Sequence, residues 1–74
     1  MKIKGINHRT GEYQGTAYDN YILFGIEDNN DWDMVKVSAK VVENSGIKDV
    51  KVLLNTDVEI LYNKFGKVES LRMK

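Results

Sequence analysis

Hydrophobic and polar positions alternate with a period of two over much of this chain, which is the spacing of half-buried β-strands. The clearest run is Trp32 to Val42, where Val35, Val37, Ala39 and Val41 face one way and Lys36, Ser38 and Lys40 the other. Tyr18 to Glu27 has a strand's aromatic and β-branched composition. Ile22, Phe24 and Ile26 fall on one of its sides, and Tyr21 and Leu23 on the other, where they are expected to point outward. In Lys2 to Arg9 the odd spacing of Ile3 and Ile6 breaks the alternation. A bulge at Gly5 would return both isoleucines to one face and leave Lys4, Asn7 and Arg9 pointing out together. Asp57 to Tyr62 resumes the alternation through Val58, Ile60 and Tyr62. Gly66 suits the left-handed position of a tight hairpin, and Val68 to Met73 forms the closing strand.

Between the strands, Asp28-Asn-Asn-Asp31 has the composition of a turn. Asn44-Ser45-Gly46 ends the third strand, with Ser45 as a helix cap. From there Ile47, Val50 and Leu54 share one helical face, so a short helix is expected to about Leu54. The predicted fold is mainly β: a small five-stranded OB-like Greek-key barrel with one short helix between strands 3 and 4. It spans residues 1–74 as a single OB-like domain; an SH3-like or other small barrel would give a similar order of elements.

Length and composition narrow the chemistry. A 74-residue chain buries roughly 60–65% of the surface exposed by its unfolded form, so the core is thin and a homodimer is expected to support it. With no cysteine there is no disulfide, thiolate zinc site or thiol nucleophile. No apolar run reaches membrane-spanning length and the first residues lack a signal peptide's apolar core, so the expectation is a cytoplasmic protein without membrane contact. The formal net charge is zero, which argues against a strong non-specific duplex binder. Its distribution is uneven. Residues 1–18 carry Lys2, Lys4 and Arg9 against Glu12, and residues 60–74 carry Lys64, Lys67, Arg72 and Lys74 against Glu69. Residues 19–33 hold Asp19, Glu27, Asp28, Asp31 and Asp33 with no base.

The segment Arg9 to Tyr21 places an arginine, Gly11, Gly15 and the tyrosines Tyr13, Tyr18 and Tyr21 in what reads as a loop between two strands. Arginine with aromatic rings on such a loop can hold phosphates and stack on unpaired bases. Tyr62-Asn-Lys-Phe-Gly-Lys-Val68 reads as a hairpin carrying the same equipment. The residues assigned to nucleic acid are therefore Arg9, Tyr13, Tyr18, Tyr21, Lys36, Lys40, Lys64, Phe65 and Arg72, and the expected partner is single-stranded DNA, with RNA left open. The tyrosines also fit half-buried packing with a wet hydroxyl, Lys36 and Lys40 also fit protection of a strand edge, and Trp32 fits the end of a barrel. A rival reading is a protein-interaction module docking through the Tyr21 and Leu23 face.

Little supports other chemistry. His8 is the only histidine and cannot by itself build a transition-metal site. A calcium loop begun at Asp28 would need glycine at its sixth position and glutamate at its twelfth, where this chain has Asp33 and Ala39. Ser38, Ser45 and Ser70 have no recognisable base partner, and no glycine-rich loop leads from a strand into a helix. Neither an enzyme, a metal site nor a cofactor is expected.

In order along the chain, the strand, the Arg-x-Gly segment, Gln14-Gly15-Thr-Ala-Tyr18, the valine-lysine strand and the Phe65-Gly66 hairpin resemble the single-stranded DNA-binding proteins of filamentous phages, the gene V protein family, and related small proteins of phages and mobile elements. The resemblance covers most of the chain. It implies an OB-like barrel, a dimer as the active unit, and cooperative binding to single strands. It places Arg9 and Lys36 at basic positions, Gln14, Gly15 and Tyr18 at the far end of the binding loop, Phe65 at a hairpin tip covering bases, and Arg72 near a basic position of the last strand. Glu12 and Tyr13 depart from the more basic family loop, and the loop is one residue shorter. Segment 43–56 reads as helical where that family has an irregular connection.

Overall fold

The computed structural model describes all 74 residues, Met1–Lys74. Its first two strands, β1 (Lys2–Tyr13) and β2 (Thr16–Ile26), are joined by only Gln14 and Gly15. Both turn residues have positive φ, 50° and 80°, the two-residue geometry whose twist matches paired strands. The Arg9–Tyr21 segment is therefore a paired β-ribbon, not a loop: Arg9 lies opposite Asn20, Gly11 opposite Tyr18 and Tyr13 opposite Thr16. Strand β3 (Trp32–Ser38) pairs with β2, giving an antiparallel sheet in the order β1-β2-β3. The connection before it closes by Glu27 N–H donating to Asp31 C=O at 2.9 Å, with Asn30 at φ 68°, as the turn composition predicts.

The irregularity in β1 falls where the isoleucine spacing requires it. Pairing shifts between Ile3 and Gly5, leaving Lys4 over and sending Ile3 and Ile6 to the same side. On β2 the expected facing is reversed. Leu23 is fully buried and Tyr21 packs against the core, whereas Ile22, Phe24 and Ile26 lie on the opposite face. Both sets are apolar, so their pattern alone does not decide the facing. The pairing sets it: Leu23 lies between Ile6 and Val35, and Gly25, on the same side, leaves room for Met1 over its backbone.

After Ser38 the chain leaves the sheet, four residues before the predicted end of the strand. Ser38 Oγ accepts from Val41 N–H at 3.2 Å and caps α1 (Ala39–Asn44), which buries Val42. The Val41 alternation thus continues into a helix, where Ala39 and Val42 share a face by their three-residue spacing. Ser45 ends this helix rather than starting one, and Gly46, at φ 81°, donates to Glu43 C=O. The helix expected from Ile47 to Leu54 is reduced to the single 3₁₀ turn Val50–Leu53, capped by Asp49, with Leu53 rather than Leu54 buried. The β-branched Val50 and Val52 have restricted side-chain rotamers in a helix, which disfavours a longer one.

Strands β4 (Val58–Tyr62) and β5 (Val68–Met73) form a second antiparallel sheet, with Gly66 in its hairpin at φ 79° as expected. Asn63 Oδ1 fixes the turn by accepting from the N–H groups of Phe65 and Lys67. The sheets meet where Ile3 N–H donates to Thr56 C=O at 3.0 Å and Val58 N–H to Met1 C=O at 2.8 Å. Ile3, Leu23, Val37, Leu53 and Val58 make the fully buried centre.

The five strands do not close into the expected barrel, because β3 and β5 never pair. The cause is local. Helix α1 turns the chain away at Ser38 and packs on β5, where Ser45 Oγ accepts from Leu71 N–H at 2.9 Å, taking a group that a neighbouring strand would otherwise use. No helix is long and apolar enough to cross a membrane.

Candidate nucleic-acid interface

Side chains alternate across a strand, so the register assigns every paired residue of the three-stranded sheet to one of two faces. The inner face follows the core: Ile3, Ile6, Tyr21, Leu23, Val35 and Val37, continued along the ribbon by His8, Thr10, Glu12, Ala17 and Asp19. The outer face carries Lys2, Asn7, Arg9 and Tyr13 from β1, Thr16, Tyr18, Asn20, Ile22, Phe24 and Ile26 from β2, and Trp32, Met34, Lys36 and Ser38 from β3.

Charge divides with this parity. The only carboxylates on these strands, Glu12, Asp19 and Asp33, all belong to the inner face. Lys2, Arg9 and Lys36 belong to the outer face, which has no acid at all. An anionic polymer along the outer face would therefore meet bases and no carboxylate from the strands themselves.

Four of the nine residues assigned from sequence share that outer face: Arg9, Tyr13, Tyr18 and Lys36. Tyr13 is 70% exposed and Tyr18 43% exposed. The Tyr18 ring lies over Gly11 in the opposite strand, where an added Cβ would stand 2.5 Å from the phenol oxygen. Gly11 is thus not a turn residue; it leaves space for the ring to lie against the ribbon. Tyr13, Thr16, Tyr18, Asn20 and Lys36 line one shallow hollow of about 420 Å³.

The other five are placed elsewhere. Tyr21 is on the inner face, half-buried, with the His8 ring stacked on it at 4.4 Å between centroids and 18° between planes, and His8 is in turn held by Asp19. Lys40 is exposed on the first turn of α1. Lys64 and Phe65 stand at the tip of the β4–β5 hairpin, where Phe65 is 75% exposed and the Lys64 ammonium lies 5.2 Å from its ring centroid. Arg72 is on β5, its guanidinium engaged by Glu59 at 2.5 Å.

Asn20, Phe24, Trp32 and Met34 also stand on this face, although residue type alone does not point them to nucleic acid. Phe24 lies opposite Met34, and Ile26 opposite Trp32, so an apolar patch adjoins the basic part. Trp32 is 70% exposed and Met34 62%. The signal that could have found them is the Gln14-Gly15 turn: a two-residue hairpin fixes the register, and counting back from it places Arg9 beside Asn20. No protein-family model, curated protein or solved structure matches the chain.

Proposed function

We propose that the protein binds single-stranded nucleic acid along the outer face of the β1–β2–β3 sheet, without sequence preference and without catalysis. The observation that carries this reading is the segregation of charge by strand parity, which leaves Arg9 and Lys36 beside two exposed tyrosines on a face free of carboxylates. Arg9 and Lys36 contact phosphates; Tyr13 and Tyr18 stack on bases, which is sequence-tolerant because every base has a π-face. Asn20, between them, offers an amide to phosphate or base edge. Lys64 and Phe65 add a second, weaker contact from the hairpin, since the Lys64 ammonium already occupies the neighbourhood of the ring. DNA is the proposed partner, and a matched RNA strand is the control.

Titration of a fluorescein-labelled oligothymidine, followed by anisotropy at increasing salt, tests the reading. Binding should weaken with a log–log slope of about −0.7 per phosphate contact. Binding of duplex equal to that of single strands, or none to either at low salt, would reject it.

A second reading concerns association. The Tyr21 and Leu23 face proposed for docking is occupied by the core, but exposed Trp32 and Met34 with half-buried Phe24 offer an apolar patch in its place. Two chains packed through that patch would form the expected homodimer, which light scattering at increasing protein concentration would detect.

A further inference from the structure

The opening between the two sheets has a character of its own. Strand β3 has a paired neighbour only in β2, and β5 only in β4. Both border a groove of about 510 Å³ with Val35, Val37, Val41, Val68 and the Tyr62 ring as its hydrophobic lining and Lys36 and Lys67 as its only charged residues. An edge strand of seven residues without proline, opening on this groove, is a template for another extended chain.

We propose that the groove accepts an extended segment of a partner protein in which apolar residues alternate with acidic ones, added as a further strand to the edge of β3. Alternation is required because successive side chains of an added strand point to opposite faces. Those on the inner side meet the valines, and those on the outer side meet Lys36, with Lys67 across the groove. Addition goes to β3 rather than β5 because the Leu71 N–H of β5 is already taken by Ser45. A second copy of this chain is a poor occupant. Pairing β3 with itself about Val35 would set Met34 against Lys36 and Asp33 against Val37, leaving each lysine without an acidic partner. A nucleic acid strand would find phosphate contacts here but, beside the single ring of Tyr62, mostly valines.

The test uses the full chain and three fluorescein-labelled seven-residue peptides: valine alternating with glutamate, valine alternating with lysine, and the glutamate peptide's composition in blocked order. Amide chemical shifts and hydrogen exchange of the ¹⁵N-labelled protein are followed without oligonucleotide present. The alternating acidic peptide should shift the amides of Trp32–Ser38 and Val68 saturably and protect alternate β3 amides from exchange. The lysine and blocked peptides should not. In the Lys36→Glu/Lys67→Glu variant the preference should invert, the lysine peptide binding about tenfold more tightly than the acidic one, because like charges across an interface repel. The proposal is overturned if no peptide shifts β3, if the blocked peptide does so equally, or if the double variant keeps its preference for acid. It is also overturned if these amides respond to an oligothymidine and to none of the peptides.

Discussion

The two faces of the β1–β2–β3 sheet are built from the same strands and differ in almost every chemical respect. The inner face buries Ile3, Leu23 and Val37 and, beyond the core, carries Glu12, Asp19 and Asp33. The outer face exposes tyrosines, Trp32 and Met34 and carries only bases. Nothing but strand parity separates them, so one residue of register decides whether Arg9 faces the acids or stands apart from them. The register shift at Lys4 therefore has two roles. It brings Ile3 and Ile6 together in the core, and it sets the parity that sends Arg9 to the outer face. A stability requirement and a binding requirement are met by one irregularity.

Substitutions on opposite faces should separate stability from binding. The largest effect is expected inside: Leu23→Ala should cost about 2–5 kcal/mol in denaturant melts, the usual cost of removing a buried leucine side chain. Its neighbour Ile22, on the other face, should cost much less when truncated to alanine. Equal losses would contradict the assignment of facing. Reversing both outer bases, Arg9→Glu with Lys36→Glu, should change stability by no more than about 0.5 kcal/mol. The same variant should reduce the magnitude of the salt slope for single-strand binding by about 1.4, two phosphate contacts' worth. An unchanged slope would remove Arg9 and Lys36 from the site.

The strand composition, the Asp28–Asp31 turn and the Gly66 hairpin are legible in the sequence because alternation and turn-residue placement have direct physical causes. Val35 and Val37 face the core as their spacing requires, and Gly66 takes the left-handed turn position. The ribbon is harder to read. From Asn7 to Asp19 every residue is exposed, so no burial pattern marks it as paired strand, and its glycines suggest a loop. Only the Gln14-Gly15 turn carries the register. The facing of β2 is undecidable from its own residues because Ile22, Phe24 and Ile26 are as apolar as Tyr21 and Leu23. It depends on the pairing that sets Leu23 between Ile6 and Val35. The open seam is likewise unreadable from periodicity, since the Val37-to-Val42 spacing suits both a strand and a capped helix. Four candidate site residues converge because their parity agrees; Tyr21 has the opposite parity, and Lys40, Lys64, Phe65 and Arg72 lie on elements outside this sheet, whose placement against it periodicity does not encode.

Smaller perturbations refine the outer face. Tyr18→Ala should weaken single-strand binding by roughly 1–3 kcal/mol, one base–aromatic stack, with little change in melting. Gly11→Ala should weaken it in the same direction without altering any proposed contact residue, because the new methyl displaces the Tyr18 ring. If Gly11→Ala binds as the parent does, the ring's position over the ribbon is not what matters. The smallest effect is expected at Phe65→Ala: an unchanged melting curve, since the ring is solvated, and a loss of about 1 kcal/mol in binding, the low end for a stack. A collapsed melting curve would place Phe65 in the core.

The central claim is that one face of the ribbon binds and the other does not, and a matched pair of added carboxylates tests it directly. Asn20 is on the outer face beside Arg9, and Thr10 follows Arg9 on the inner face. With a labelled oligothymidine at low salt, Asn20→Glu should lower affinity about tenfold, whereas Thr10→Glu should change it less than about twofold, since its charge joins an already acidic face turned away from the strand. Equal losses from the two variants, or a greater loss from Thr10→Glu, would contradict the account.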